Sequence, residues 1–432
     1  MQSPTSSADL AALRRVAERA DQTDPAPARD QFEFPAAPAG SGFDNVAYFA
    51  GNSLGLLSHP SRAAVEEVLH SWSSRAVTGH FTGEQPWSTQ AEKIAAPMAA
   101  LVGAHADEVV VMNALTINLH LVLSALYRPD GDRQVIAIET GAFPSDDYAV
   151  ASQLHWHGLD RSRLVRLEPV DDSGLFSTDS LIEQIRRIGP ALGAIVLGVV
   201  NFRTGQLLDV EAITKAAHEV GALAIWDLAH AAGNVATHLH DWDVDAAVWC
   251  NYKYLNSGPG SVGSAFIHRR FQGYGDLPRL TGWWGNAPAS RFAMQTDIEL
   301  DHGAAGWQIS NPPALAMVPV RASLEMFHSV GFAALLARSK RLTAFLESAF
   351  DQVCATHHMA QLTPRNPAER GAQLSMLIDD APGVNDALIE LGVVPDERPP
   401  NIVRFAPIPL YTSYVDCWRA AEALTSVLPP RP

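Results

Sequence analysis

Short apolar runs alternate with amphipathic segments through the middle of the chain. Two of the amphipathic segments, residues 116–127 and 209–221, place apolar side chains at helical spacing. Strands that alternate with helices are typical of βαβ units, whose parallel strands are buried. The pattern therefore predicts an α/β fold on a mostly parallel sheet. The predicted strands lie at residues 108–112, 134–139, 194–200, 222–227, 246–250 and 264–268.

The pattern changes after the sequence Asn311-Pro312-Pro313. A long helical stretch from Ala314 to about Val353 comes first, and strand candidates follow at residues 373–378 and 401–408. A closing helix is predicted at about residues 413–428. We therefore expect three parts, which are a short helix and extended arm (residues 1–45), a large domain (residues 46–315) and a smaller α+β C-terminal domain (residues 316–432).

Composition narrows the function classes. The 432 residues include 31 basic and 47 acidic side chains, a formal net charge of −16, whereas a nucleic-acid surface needs clustered basic residues. No apolar run approaches the roughly 20 residues of a membrane helix, and the N-terminus lacks the pattern of a signal peptide. Three widely spaced cysteines, Cys250, Cys354 and Cys417, form no disulfide or zinc pattern. We expect a cytoplasmic protein with no nucleic-acid or membrane partner.

A carboxylate and a lysine follow two neighbouring predicted strands. Asp227 ends one strand and Lys253 follows the next, so both are expected at the sheet edge where ligands bind in such folds. A lysine there can form a Schiff base with a carbonyl compound. Pyridoxal phosphate requires such a lysine and an acidic partner for its pyridinium nitrogen. A simple ion pair that holds a loop is the alternative interpretation.

The start of the helix at residues 116–127 offers a phosphate site. Thr116 and free N–H groups at a helix N-terminus form a ready anion site, although a plain threonine N-cap would give the same pattern. After the next strand, Phe143 and Asp146 reach the same edge, and an aromatic face there can stack on a pyridine ring. A packed loop is the alternative for this pair.

Three other motifs carry less weight. The glycine pattern at residues 258–263 precedes a strand, whereas a dinucleotide-binding loop follows a strand and opens a helix. His238 and His240 have no third metal ligand at a recognisable spacing, so we interpret them as solvated loop histidines and expect no metal. Cys250 lies in an apolar strand, where a buried cysteine behaves as a small hydrophobic residue.

Longer motifs extend over about residues 48 to 411, namely YFAGNSLGL, TGHFTGEQPW, NALTINLHL, AFPSD, DLAHAAGN, DWDVDAAVWCNYKYLNSGPG, GWWG, QISNPP and IVRFAPIPLY. These motifs resemble those of one enzyme family, the kynureninases. The resemblance implies a fold-type-I pyridoxal-phosphate enzyme, a homodimer with composite active sites that acts in tryptophan catabolism by the kynurenine pathway. Such enzymes hydrolyse L-kynurenine or L-3-hydroxykynurenine to L-alanine and anthranilate or 3-hydroxyanthranilate.

The resemblance also implies residue roles. Lys253 is similar to the Schiff-base lysine, Asp227 to the pyridinium partner, and Tyr252 to a phosphate contact and proton relay. Arg404 resembles the residue that clamps the substrate carboxylate, for which a planar guanidinium is suited. The remaining implied cofactor contacts are Leu115, Thr116, Phe143, Pro144, Ser145, Asp146 and His230, with Trp283 and Asn311 from the other subunit.

Two positions depart from the family pattern, and two bear on the substrate. Gly198 stands where a hydroxyl residue is expected, and Asn286 where animal enzymes carry histidine. His80 and Asn311 match residues at the aryl end of the pocket in enzymes that favour 3-hydroxykynurenine. We therefore expect a preference for that substrate. The alternatives for the whole chain are another fold-type-I enzyme, such as a desulfurase or aminotransferase, and a non-catalytic binding module.

Overall fold

Two sheets and their covering helices make up the part of the chain that the computed structural model describes, residues 7–272 and 277–431. The strands are β1 Phe32–Glu33, β2 Ala47–Tyr48, β3 Leu57–Ser58, β4 Val109–Val111, β5 Val135–Glu139, β6 Leu164–Leu167, β7 Leu192–Gly198, β8 Leu223–Asp227, β9 Ala246–Trp249, β10 Ser264–Ile267, β11 Ala360–Gln361, β12 Leu374–Leu377, β13 Val393–Val394, β14 Asp396–Arg398 and β15 Ile402–Phe405. The helices are α1 Ser7–Thr23, α2 His59–Arg75, α3 Gln90–Val102, α4 Leu115–Leu126, α5 Pro144–Trp156, α6 Thr178–Ile188, α7 Val210–Glu219, α8 Ala314–Val330, α9 Phe332–Thr356, α10 Ala381–Glu390 and α11 Tyr414–Val427.

The larger sheet has seven strands in the order β4-β10-β9-β8-β7-β5-β6. Strands β6, β5, β7, β8 and β9 pair in parallel, and β10 runs antiparallel to both of its neighbours, β9 and β4. Strands β5, β8 and β9 are buried or nearly so on both faces, as expected when helices cover a parallel sheet. The predicted α/β fold with a mostly parallel sheet is confirmed.

Two apolar layers sandwich this sheet. Along β7, Ala194 and Val196 face one layer, which includes Val122 of α4 and Val150 of α5. The alternate residues of β7 face the other layer, which includes apolar residues of α3, α6 and α7. Because successive side chains of a strand point to opposite faces, one short apolar run contributes to both cores. The connecting turns at the carboxyl ends of the strands are left free to form a site.

A second, antiparallel sheet has the order β11-β12-β15-β14. Its core is formed with α9, α10 and α11. The N-terminal helix α1 belongs to the same core, since Leu13 and Ala17 are buried in it. Asp21 accepts hydrogen bonds from the backbone N–H groups of Tyr414 (2.8 Å) and Val415 (3.0 Å) at the start of α11. The first and last helices of the described chain are therefore fastened together.

The structure modifies some predicted boundaries. The helical stretch expected from Ala314 to about Val353 is two helices, because Gly331 has a φ of 87° and ends α8. Such a positive φ is accessible to glycine at little steric cost, so the chain turns there and α9 begins at Phe332. Strand β6 was not among the predicted strands. Among the described residues, no helix is long and apolar enough to cross a membrane.

Candidate active site

A cavity of about 210 Å³ lies at the carboxyl ends of the central strands. Residues at or after the ends of β5, β7, β8 and β9 contribute to its wall, as do the first turns of α4 and α5. Most of the residues singled out from the sequence meet here. The predicted site residues that line the cavity are Leu115, Thr116, Phe143, Ser145, Asp146, Asp227, His230, Tyr252, Lys253 and Arg404.

Lys253 lies in the turn that follows β9. Its Nζ lies 3.0 Å from Nε2 of His230 and 5.9 Å from the ring centroid of Phe143. The turn is held to β10 by Asn251, whose side chain donates to the carbonyl of Val262 (2.6 Å) and lies 3.0 Å from Oγ of Ser264. The lysine is therefore presented to the cavity from a fixed backbone, between an imidazole and an aromatic face.

Three carboxyl groups are buried around this lysine. Burial raises the pKa of Asp227, although the charge of Lys253 opposes the shift. Burial and the neighbouring Asp227 raise the pKa of Asp146 well above its ordinary value. Burial raises the pKa of Glu139 to about 7. The cavity can therefore hold a further cationic or proton-bearing group beside Asp227.

The N-terminus of α4 opens into the cavity. Its N-cap residue is Ala114, and no side chain in the described chain caps it, which leaves first-turn N–H groups for another partner. Thr116 is the second helical residue, so the plain threonine N-cap is wrong, and its Oγ1 lies 2.5 Å from Oγ of Ser145. Donors and a helix dipole at one point suit a phosphate.

Arg404 lies in β15 and is fully buried. Its guanidinium donates to the carbonyl of Phe202 (2.6 Å) and to Oγ of Ser53 (3.0 Å), and it forms an ion pair with Asp396. Arg398 pairs with the same carboxylate at 2.6 Å. Two guanidinium groups thus share one carboxylate, and the excess positive charge at this wall suits an anionic substrate group.

Sequence reasoning missed Ser53, Asp396, Arg398 and Glu139, which all line or support the cavity. Asp396 and Arg404 are direct partners across the β14–β15 ladder, and alternation along that hairpin was the available signal. Glu139 was visible as an acidic residue at the end of an apolar run. Its Oε1 accepts the backbone N–H of Gly198 at 3.3 Å. A Cβ at Gly198 would lie 3.4 Å from that oxygen, at ordinary van der Waals contact.

Four predicted site residues lie outside this cavity. Pro144 begins α5 behind the wall. His80 and Trp283 belong instead to an exposed aromatic cluster, in which Phe81 lies 6.1 Å from His80 and Phe292 lies 5.5 Å from Trp283. Phe81 and Phe292 are themselves 5.2 Å apart by ring centroids. The fourth residue, Asn311, is exposed, and Asn286 is a structural residue that accepts the N–H of Glu299 at 2.9 Å.

The cavity fits pyridoxal phosphate. Several buried polar atoms that face it have no hydrogen-bond partner among the described residues, including Nδ1 of His230, Oδ1 of Asp146 and Oε2 of Glu139. Buried polar atoms are normally paired, so these atoms suggest a missing polar ligand. A lysine, a buried carboxyl, an aromatic face and a helix N-terminus match the aldehyde, pyridine nitrogen, ring and phosphate of that cofactor.

Comparisons with known proteins agree with this geometry. Residues 58–370 match the family model described as aminotransferase class-V, and residues 335–424 match the one described as kynureninase C-terminal domain. A kynureninase of Salinispora tropica is 47% identical over 97% of this chain and 98% of its own length. A kynureninase of Myxococcus xanthus is 45% identical, with 92% of each chain covered.

Solved structures agree on the fold. The apo cysteine desulfurase of Thermococcus onnurineus superposes with a TM-score of 0.73 at 17% identity, covering 89% of this chain and 94% of its own. A C-DES variant with glycine covalently linked to its pyridoxal-phosphate cofactor gives a TM-score of 0.75 at 16% identity, covering 92% and 99%. At such identities the likeness concerns the fold alone. Sequence identity of 45–47% to curated kynureninases over nearly the full length, together with this cavity, establishes that the chain belongs to the kynureninase family of pyridoxal-phosphate-dependent hydrolases.

Proposed function

We propose that the protein hydrolyses the side chain of L-kynurenine or L-3-hydroxykynurenine to L-alanine and anthranilate or 3-hydroxyanthranilate, with Lys253 as the central catalytic residue. The observation that carries this assignment is the meeting of Lys253, His230 and Asp227 in a cavity whose far wall holds the buried Arg404. Cofactor chemistry and recognition of an amino-acid carboxylate are thereby joined in one site. The hydrolysis follows from the family to which the chain belongs.

The residues that would hold pyridoxal phosphate follow from their positions. Lys253 would bind its carbonyl carbon, Asp227 its pyridine nitrogen and Phe143 the face of its ring. First-turn N–H groups of α4, with Thr116 and Tyr252, would hold its phosphate. When bound, the cofactor supplies an electron sink for negative charge that develops on the substrate. Ser145 supports this arrangement through its contact with Thr116.

Proton transfer falls to Lys253 and its neighbours. Burial, together with the nearby charges of Lys253 and Arg404, lowers the pKa of His230 well below its usual value, so its imidazole is neutral. A neutral Nε2 at 3.0 Å from Nζ can accept a hydrogen bond from the lysine amine and so orient it. Burial raises the pKa of Tyr252, which keeps its phenol protonated and able to donate. We assign Tyr252 the relay of a proton to the cleaved product.

Arg404 would hold the carboxylate of the substrate. Its Nε has no partner among the described residues, while its other nitrogens are fixed by Phe202, Ser53 and Asp396. A guanidinium that is anchored in this way loses little freedom when it binds, so more of each hydrogen bond is available for affinity. We assign Arg398, which lines the cavity and shares Asp396, a supporting role in the same recognition.

We further propose that the active form is a homodimer with composite sites. Trp283 and Asn311 would reach the phosphate of the neighbouring copy, and His80 and Asn311 would line the aryl end of its pocket. This proposal is supported by the exposure of the aromatic cluster around His80 and Trp283, where Phe81 is 56% and Phe292 45% exposed. Large exposed apolar surfaces of this kind commonly mark protein interfaces. A preference for 3-hydroxykynurenine rests on the same placement.

A desulfurase function is disfavoured by the cysteines. Such an enzyme needs an exposed thiol of low pKa. Cys250 and Cys417 are buried, and burial raises the pKa of all three thiols, including that of Cys354 in α9. A non-catalytic role is disfavoured by the complete set of Lys253, Asp227 and Arg404 in one cavity.

We propose a large unit of residues 46–315 and a smaller unit of residues 316–432. The proposal is supported by the apolar core that the antiparallel sheet forms with α9, α10 and α11, while α8 packs into a core of the larger sheet. The first 45 residues include α1, which adds to the smaller unit. We place the enzyme in the cytoplasm, in tryptophan breakdown or in the synthesis of NAD precursors.

Borohydride labelling tests the assignment. The purified protein should be yellow, and borohydride should fix the cofactor on Lys253, one of four lysines in the chain. Lys253→Ala should be colourless and should release no fluorescent anthranilate from kynurenine. The matched control is Lys215→Ala, which changes an exposed lysine in α7 and should keep both properties. Label on another lysine, or sulfide release from cysteine in place of anthranilate, would overturn the assignment.

A further inference from the structure

A cluster of side chains that could bind a metal ion lies away from the cavity. His105, Glu108 and His240 bring one imidazole nitrogen or carboxylate oxygen each to within 4.8 Å of one another. Nδ1 of His240 lies 2.9 Å from Oε1 of Glu108, and the His105 and His240 rings have centroids 4.2 Å apart. Glu108 immediately precedes β4, whose other end leads to the cavity. The cluster therefore lies at the opposite edge of the sheet.

The sequence interpretation of His240 as a solvated loop histidine is wrong. The residue is half-buried and stacks on His268, with ring centroids 5.0 Å apart and an angle of 11° between planes. Neither His105 nor Glu108 is near His240 in sequence, so spacing along the chain could not reveal the third ligand. His238, only two residues away, is exposed and packs on Trp242 instead.

Backbone hydrogen bonds fix the orientation of the Glu108 carboxylate, as the hydrogen bonds around a metal site orient its ligands. Glu108 is fully buried. Its Oε2 accepts the N–H of His105 and its Oε1 accepts that of Arg269, both at 3.0 Å. The guanidinium groups nearby are engaged elsewhere, since Arg269 pairs with Asp107 and Arg270 with Asp243. Glu108 therefore faces imidazole rings instead of a permanent cation.

We propose that His105, Glu108 and His240 form a binding site for a divalent transition-metal ion of the zinc type. Two ligand atoms on tetrahedral Zn²⁺, each at about 2.0 Å, are roughly 3.3 Å apart. The observed nitrogen-to-oxygen distances of 2.9 and 3.1 Å between His240 and Glu108 are close to that separation. The ion takes the place of the proton in this hydrogen bond, and the proton goes to solvent. Exposed His105 completes a three-ligand set and leaves one position for water.

The bound ion would act as a structural cross-link. It would join the turn before β4 to the loop before β9. Glu108 also accepts the backbone N–H of Arg269, so the segment that follows β10 is held at the same place. Ions that bind only the folded state stabilise it. The holoenzyme should therefore unfold at a higher temperature with zinc than after chelation, and its turnover should change little.

A metal titration of the untagged holoenzyme tests this site. Chelator-treated protein should bind one Zn²⁺ per chain by calorimetry, and Co²⁺ should give the visible absorption of a tetrahedral complex. His105→Ala, which alters an exposed side chain, and His240→Ala should each weaken zinc binding at least tenfold. The matched control, His238→Ala, should bind zinc as the wild type does. The cofactor absorption verifies that each variant is folded.

Three results would overturn the proposal. The first is that the wild-type holoenzyme binds no zinc. The second is zinc affinity unchanged in either His105→Ala or His240→Ala, which would place the ion elsewhere, for example at His218 with Asp243 and Asp245. The third is a charge-transfer band from sulfur to cobalt, which would indicate a cysteine ligand.

Discussion

Replacing Arg404 with lysine should separate substrate binding from cofactor binding. Lysine keeps the positive charge beside Asp396 but has no counterpart of the Nε–H group, the guanidinium nitrogen that has no other partner among the described residues. Asp396 remains paired with Arg398 at 2.6 Å, so the variant does not leave a buried carboxylate alone. We therefore expect Arg404→Lys to fold and to keep the visible absorption of the bound cofactor.

The size of the effect follows from the lost hydrogen bond. A hydrogen bond to a charged group contributes about 1.5–3 kcal/mol, and about 1.4 kcal/mol corresponds to a tenfold change in rate. The expected fall in kcat/KM for kynurenine is therefore roughly 10- to 100-fold, measured by anthranilate fluorescence. The matched control is Arg341→Lys, which changes an exposed arginine of α9 paired with Asp24 and should leave kcat/KM unchanged. An Arg404→Lys enzyme with wild-type kcat/KM would refute the assigned role. The role would also be refuted if the variant lost its bound cofactor but showed wild-type kcat/KM when the cofactor was supplied at a saturating concentration.

Burial raises the pKa of Glu139 from 4.5 to about 7. Between these pH values the folded cofactor-free chain therefore binds more protons than the unfolded chain. The free energy of unfolding should fall as the pH rises through this window, by up to about 3 kcal/mol. Urea unfolding at pH 5 and pH 8 should show a smaller fall for Glu139→Gln, and an identical fall in both proteins would contradict the buried ionisation. Specific activity should decline on dilution in step with dimer dissociation measured by sedimentation, whereas full activity of a monomer would rule out composite sites. The wild type should show a higher kcat/KM for 3-hydroxykynurenine than for kynurenine, and His80→Phe should reduce that ratio; a ratio unmoved by the substitution would show that His80 does not recognise the ring hydroxyl.

The sheet was predictable because its strands are buried on both faces. Runs such as residues 194–200 and 222–227 contain almost no polar residue, and β7 and β8 lie within one or two residues of them. Strand β6 escaped because Arg166 interrupts a short apolar run at the sheet edge, where its side chain pairs with Asp147. A strand at the edge of a sheet needs fewer apolar residues than a central strand, so its sequence carries a weaker hydrophobic pattern.

The cavity was predictable where residues follow strand ends, and less so where strands from the second sheet supply it. Lys253 and Asp227 were found because parallel strands bring their carboxyl ends to one edge. Arg404 came from the family resemblance. Its partner Asp396 lies directly opposite on the neighbouring strand of a hairpin, but Ser53 reaches both residues from a segment more than 300 residues away. No local pattern encodes such a meeting, and only the folded chain reveals it.

The junction between α1 and α11 has a consequence for biosynthesis. A ribosome releases the earlier part of a chain first, yet the surface that receives Leu13 and Ala17 includes α11, which is translated long after α1. During translation α1 therefore waits, with its apolar stripe exposed, until nearly the whole polypeptide has emerged. The core around β15, and with it the arginine that faces the cavity, closes only after α11 has left the ribosome. A premature stop codon before residue 414 would leave both chain ends without a partner, and a nascent chain of that kind is a natural substrate for chaperones and proteases.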